Sequence, residues 1–241
     1  MKQFPFLSEQ CGILSVKQRI FLVCVITAAV LSFYHFSKTK IPAWTSAPLP
    51  SQLVIDIGHG GADPGKIGMN NALEKDINLA IGLYLKEYLS ASGITTTLTR
   101  ETDTSLADTD ASNQKLSDFQ NRAKLIKDLV PSAVISIHQN SYPQEAVRGA
   151  QVFHSNSTES ERLADCIQTQ CRRFLDPNNH RQIKKNTDYY LFRHISCPIV
   201  IVECGFLSNY EEANLLITED YQRKTAWAIY MGILQYLKTL E

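Results

Sequence analysis

Three apolar runs in this 241-residue chain end in residues able to bind a metal or move a proton. Residues 52–57 (QLVIDI) run into Gly58-His59-Gly60-Gly61. Residues 133–137 (AVISI) run into His138-Gln139-Asn140, and residues 198–202 (PIVIV) into Glu203-Cys204-Gly205. If the three runs are strands of one open parallel sheet, their carboxyl ends lie together, where such sheets bind ligands. Glu74 adds a fourth group in the first turn of the helix after the glycine-rich loop, where the macrodipole favours an ionised carboxylate. Two imidazoles and one carboxylate leave a tetrahedral Zn²⁺ one position open for water, the pattern of hydrolytic zinc sites. The metal polarises a carbonyl and lowers the pKa of its water towards about 7. A second, unligated carboxylate must then accept the water proton and return it to the leaving nitrogen. Glu203 is the candidate, since an acid after five apolar residues is costly to bury without a partner. Each residue alone has a plainer reading, a hydrogen-bonded strand-end His or a helix-capping Glu74. Phosphate cradling is excluded, because neither GxGxxG nor GxxxxGK[ST] is present.

The elements that must position these groups are legible in outline. Strand candidates are 52–57, 94–99, 133–137, 149–153 and 198–202, several of them continuous β-branched runs of the kind covered on both faces. Apolar spacings of three and four predict helices over 73–91, 117–129, 158–174 and 220–238. Ser208-x-x-Glu211 reads as a capping box for a further short helix. Alternating strands and helices predict an α/β fold: a single catalytic domain with a mostly parallel twisted sheet flanked by helices on both faces. The polar stretch 101–118 is expected at the surface.

Formal net charge is zero, with 24 basic and 24 acidic residues, but unevenly spread. Residues 1–40 carry +4 (Lys2, Lys17, Arg19, Lys38 and Lys40 against Glu9), and the rest carries −4, with 19 basic and 23 acidic residues. A mildly acidic body excludes nucleic acid as a partner, since that binding rests on clustered cations. Residues 20–34 are apolar and uncharged, behind Lys17 and Arg19 and with no small-x-small cleavage site after them. They are expected to form an uncleaved signal-anchor within a segment 1–37 whose first residues form a cytoplasmic tip. The Pro-containing stretch 38–50 is expected as a linker, and 51–241 as the catalytic domain, held at the membrane on its extracytoplasmic side. Six cysteines without a CxxC pair make a Cys-based zinc site improbable and favour buried apolar roles.

VIDIGHGGADPGKIG followed by Glu74, then NRAKLIKDLVPSAVISIHQN, then IVIVECGFLSNYEEANLL resembles the zinc-dependent N-acetylmuramoyl-L-alanine amidases with the amidase-3 catalytic domain, over about residues 51–240. The resemblance implies zinc held by His59, Glu74 and His138, catalysis by Glu203, and peptidoglycan as substrate, cut between N-acetylmuramic acid and L-Ala. The lone catalytic domain, without wall-binding repeats, and the stretch from Lys184 to Leu216 are most similar to the germination-specific branch. That branch implies a role in spore cortex, on the way to the muramic-δ-lactam that germination requires. A vegetative wall amidase is the alternative. The segment between His138 and Glu203 has room for a strand, a helix and a polar loop, so no large autoinhibitory insert is expected. Asn140 and Arg193 are candidate substrate contacts, and Arg122 reads either as a binder of stem-peptide carboxylates or as a structural salt bridge. The basic residues Arg181, Lys184 and Lys185 read as a contact for anionic wall polymer or as solvated surface. An activating lipoprotein partner is left open. A zinc carboxypeptidase fits less well, because fourteen residues separate His59 from Glu74 where His-x-x-Glu would be expected. A structural metal in a non-enzymatic wall-binding protein would leave Glu203 without a task.

Overall fold

The structure, a computed structural model, describes residues 15–38 and 52–240. The chain divides into two compact units, Met1–Ser46 and Ala47–Glu241. In the first, α1 (Val16–Lys38) is a single helix that contains the whole apolar run 20–34. Phe21, Leu22, Val23, Val25, Ile26 and Leu31 on it are exposed. Among the described residues, no helix is long and apolar enough to cross a membrane. The expected signal-anchor is therefore not supported. Fifteen uncharged residues at 1.5 Å each reach only about 22 Å, against roughly 30 Å of hydrocarbon. The tip before residue 15 and the linker over 39–50 lie outside the described residues.

The second unit is an α/β layer structure. In chain order it comprises β1 (Leu53–Ile57), α2 (Glu74–Ala91), β2 (Thr96–Leu98), α3 (Gln114–Leu129), β3 (Ala133–Asn140), β4 (Gln151–His154), α4 (Thr158–Phe174), β5 (Lys184–Lys185), α5 (Tyr190–His194), β6 (Ile199–Phe206), α6 (Tyr210–Leu216) and α7 (Glu219–Lys238). The sheet order is β2-β1-β3-β6-β4-β5. The first four strands are mutually parallel, β4 runs antiparallel to β6, and β5 runs parallel to β4. The segment between His138 and Glu203 holds only β4, α4, β5 and α5, so no large insert is present there.

Strand periodicity sorts the side chains between two layers. Leu53, Ile55 and Ile57 of β1, with Ile135 and Ile137 of β3 and Val200, Val202 and Cys204 of β6, pack into the layer formed with α2, α4 and α7. Val54, Val134, Ile199 and Ile201 face the opposite layer, with Ala123 and Ile126 of α3 and Leu191 and Phe192 of α5. Both faces are thus covered, as continuous apolar runs require. Cys166, Cys171 and Cys204 are free and buried in the first layer, the apolar role expected of them.

Four elements depart from the sequence reading in ways that bear on the site. β3 and β6 continue past their apolar runs to Asn140 and Phe206, because each strand keeps pairing with the other, His138 opposite Glu203 and Asn140 opposite Phe206. The helix expected at 117 begins at Gln114, where Asn113 accepts a hydrogen bond from the Leu116 amide at 3.0 Å. Its first turn is polar and carries no apolar period. The capping box is displaced by one residue: Asn209 caps α6 by accepting from the Glu212 amide at 2.9 Å. Glu212 is then buried and accepts from the Gly149 and Phe206 amides at 3.0 and 2.9 Å, tying the end of β6 to the chain entering β4.

Helices α4 and α7 of the first layer meet at Gly232, where a Cβ would lie 2.5 Å from the Ile167 Cα. Alanine is the better helix former by about 1 kcal/mol, but a backbone clash in a packed core costs about 1–3 kcal/mol. Gly232→Ala should therefore destabilise the fold. A Tm below that of the parent, by roughly 2–4 °C for each kcal/mol, is the expected result in thermal unfolding.

Candidate active site

The site is built from below. Asp56 of β1 and Ser136 of β3 sit between apolar neighbours but face the α3 layer, as do His138 and Glu203. Asp56 is 1 % exposed and pairs with Nη1 of Arg122 at 2.9 Å. Ser136 and Thr99 donate their hydroxyls to it at 2.6 and 3.1 Å. Burial would raise the Asp56 carboxyl, but the Arg122 charge and then the Ser136 hydrogen bond outweigh it and hold it below its usual range. Arg122, itself 2 % exposed, also donates to the carbonyls of Ile57 and His59 at 2.5 and 2.8 Å and to Asp118 at 2.5 Å. Arg100 donates to the Gly58 carbonyl at 3.1 Å. Two guanidinium groups thus satisfy three successive carbonyls at the turn where β1 ends. His59 adopts a left-handed φ of 62°, a conformation that costs a non-glycine residue about 1–3 kcal/mol and persists only where its surroundings enforce it.

On this support three side chains converge. Ligand-capable atoms of His59, Glu74 and His138 all lie within 4.8 Å of one another. Glu74 stands between the rings, 3.3 Å from His59 Nε2 and 2.9 Å from His138 Nδ1. Backbone amides of Lys66 and Gln139 donate to its two oxygens at 2.8 and 3.0 Å. Burial works against its charge, but hydrogen bonds from His138 and then His59 prevail and hold its carboxyl far below the usual range. The imidazole of His59 is oriented from behind by Asp63, at 2.7 Å from Nδ1, which leaves Nε2 facing inward. Close approach leaves no room for side chains at two glycines. A Cβ on Gly58 would lie 2.2 Å from the His138 ring, and one on Gly65 (φ +67°) would lie 2.6 Å from both Glu74 and His59.

Glu203 lies beside His138 in register and lines the same cavity of about 280 Å³. It is 8 % exposed, and its Oε2 is buried without a hydrogen-bond partner among the described residues. Burial, opposed by the His138 charge and reinforced by Glu74, pushes its carboxyl up to about 7. The two carboxylates of the site therefore differ in kind: Glu74 is fixed as an anion by the donors around it, Asn78 Nδ2 at 3.4 Å among them, and Glu203 is poised to gain or lose a proton near neutrality.

The four residues singled out as metal-binding or proton-transferring are thus brought together. Asn140 and Arg193 are not part of the cavity lining. The Asn140 side chain accepts from the Ser141 amide at 2.8 Å, and Arg193 is exposed on α5. Of the two readings of Arg122, the structure gives the salt bridge. Several wall residues carried no assignment in the sequence: Asp63, four residues after His59, and Tyr189 and Tyr190. The signal for Asp63 was present in the His-Gly-Gly-x-Asp spacing. The tyrosines stand at the N-cap and first position of a five-residue helix too short to show a period.

A His-Glu-His cluster able to hold a metal and a poised acid, at the strand ends of an α/β sheet, are the groups of a hydrolase site. The chain belongs to the N-acetylmuramoyl-L-alanine amidase family (Amidase_3), whose model matches residues 53–235, and it is a peptidoglycan amidase. It is 38% identical to the germination-specific N-acetylmuramoyl-L-alanine amidase of Bacillus subtilis (strain 168) over 221 residues, 90% of this chain and 92% of that protein. Its fold is similar to the CwlD amidase of Clostridioides difficile, solved in complex with the GerS lipoprotein, at 40% identity and a TM-score of 0.76, over 78% of this chain and 99% of that one. The catalytic domain of CwlV from Bacillus (Paenibacillus) polymyxa follows it at 29% identity and a TM-score of 0.66, over 78% and 98% of the two chains.

Removing one partner of a buried ion pair costs about 3–5 kcal/mol, because the other charge is left unpaired. Arg122→Met should lower the unfolding free energy by that amount. The Asp56 pKa is depressed in the native state, so its contribution is present above the unfolded value near 3.9 and is lost as pH falls through the native value. Denaturant titrations between pH 6 and pH 2 should show this acid-side loss in the parent and a shallower one in Asp56→Asn. Equal slopes would mean that other carboxylates carry it.

Proposed function

We propose that the protein is a zinc-dependent N-acetylmuramoyl-L-alanine amidase of the spore cortex, with His59, Glu74 and His138 as metal ligands and Glu203 as the proton-transferring acid. Residues 51–241 are its catalytic domain. The observation that carries this reading is the unpartnered oxygen of Glu203, buried in the cavity beside the His-Glu-His cluster. The donor set fits zinc: two imidazole nitrogens and one carboxylate are a common catalytic combination. When bound there, zinc supplies Lewis-acid polarisation of the scissile carbonyl and acidifies a water.

The chain's own residues do the rest. Asp63 holds the His59 Nδ1 proton and presents Nε2 to the cluster. The amides of Lys66 and Gln139 fix both oxygens of Glu74, so that it stays ionised. Glu203 accepts the proton of the attacking water and delivers it to the departing L-Ala nitrogen, a transfer suited to a group that titrates near neutrality. The products are a free lactyl carboxyl on the sugar and a free stem peptide. In the cortex the bared muramic residue is the substrate from which a deacetylase leads to the δ-lactam. The cortex setting is supported by the germination-specific amidase of Bacillus subtilis among the relatives. The GerS lipoprotein bound to the related CwlD supports an activating lipoprotein as a partner of this chain also. The substrate places its action outside the cytoplasm.

Glu203→Gln should keep bound zinc and the native fold but lose about 10²–10⁴ of amidase turnover on purified cortex peptidoglycan, followed by mass spectrometry. Glu74→Gln should instead weaken zinc by an order of magnitude or more, roughly the cost of disturbing a metal's surroundings. A Glu203→Gln enzyme of near-normal rate, or one that loses its metal, would overturn the assignment. Deleting the protein should leave vegetative growth normal while the cortex lacks muramic-δ-lactam. A normal δ-lactam content would refute the sporulation role and leave the chemistry standing.

A further inference from the structure

The cavity walls carry several charges, and nearly all of them are spoken for. Arg122 takes Asp56 and Asp118, the two histidines take Glu74, and Asp63 is taken by His59 and the Gly65 amide. Lys115 differs. It lies in the first turn of α3, is exposed, and lines both the catalytic cavity and the adjoining cleft beside Ala62, Asp63 and Pro64. Among the described residues its ammonium makes no hydrogen bond or ion pair. Its place is set by helix spacing: Lys115, Asp118, Phe119 and Arg122 stand at i, i+3, i+4 and i+7 on one face. The inner end of that row is anchored by the Arg122 pairs, and Phe119 stacks on Tyr190 with ring centroids 5.5 Å apart. Lys115 is thus a cation at the mouth of the site on a fixed helix, free of any short hydrogen bond or ion pair, although its charge is also felt by Asp63.

We infer that Lys115 is a specificity-determining residue that pairs with a free carboxylate of the stem peptide. The inference rests on the amidase reading and deepens it. The bond cut lies before the first residue of the peptide, and carboxylates occur at the second and third residues. An extended chain advances at most about 3.5 Å per residue, so those groups lie within roughly 7–10 Å of the scissile nitrogen, a reach that a cation on the cavity wall can meet. Neither of the two arginines considered in the sequence is available for this, since Arg122 is buried in its pairs and Arg193 is not in the cavity lining. A charge-assisted contact at a half-open site changes affinity by about tenfold.

Four muropeptides test it: the free acid and the carboxamide at the second residue, and the same pair at the third. For one of the pairs the parent enzyme should prefer the acid by about tenfold in kcat/KM, chiefly through KM. Lys115→Met should bring that ratio to about one, and Lys115→Glu should invert it, with zinc content and Tm as in the parent. The inference is overturned if no pair responds to the substitutions. It is also overturned if all four substrates fall by one common factor, or if zinc is lost, because Lys115 would then act through Asp63 and His59. A parent enzyme that cleaves none of the four would refute the amidase reading instead.

Discussion

Two charges that barely reach solvent, the Asp56 carboxylate and the Arg122 guanidinium, meet 2.9 Å apart beneath the turn that carries His59. As a source of stability such a pair is unremarkable, since well-packed apolar residues of equal volume would serve as well or better. An apolar replacement, however, has no donors for the carbonyls at the turn where β1 ends: His59 would lose the Arg122 donor, and Ile57 would keep only the longer contact from Arg100 at 3.3 Å. The pair therefore fixes position. It clamps the backbone at the point where β1 must turn sharply, and it lets His59 occupy a left-handed conformation that a histidine otherwise avoids.

From that clamp the rest of the centre follows by strand geometry. Asp56, Ser136, His138 and Glu203 share one side of the sheet because two-residue alternation on paired parallel strands puts them there. The α3 layer covers this side only as far as Ile126 and Leu191, and the polar groups begin where that cover stops. The environment then separates two chemically identical acids. Glu74, at a helix start and surrounded by donors, is locked as an anion, whereas Glu203, among apolar strand residues, keeps one oxygen unpaired. Pushing paired carboxyls apart in this way is how a protein assigns a binding role to one and a proton-transfer role to the other.

Much of this was legible in the chain. The apolar runs before His59, His138 and Glu203 disclosed the central strands, and the glycine-rich loop before Glu74 disclosed the remaining member of the cluster. What escaped had physical reasons. Arg122 has two equally good readings in sequence, because only the fold shows that Asp56, sixty-six residues away, lies under it. Lys115 sits in a polar first turn with no apolar period to mark it. The run 20–34 is apolar enough to invite a membrane reading, yet it is too short to complete one. Asn209 and Ser208 are both good helix caps, and the choice between them rests on where Glu212 is needed, at the Gly149 and Phe206 amides.

The sheet ends, on the side away from β1, in a strand of two residues, and both are exposed lysines. An open sheet edge is a template on which another chain can add a strand, the first step of aggregation. Here an incoming strand would meet too few amide groups to hold it and two like charges to repel a copy of the same edge. The opposite edge, β2, is only three residues long. The second unit thus guards against edge-to-edge pairing by the brevity of its outer strands, a property set by the places where pairing stops.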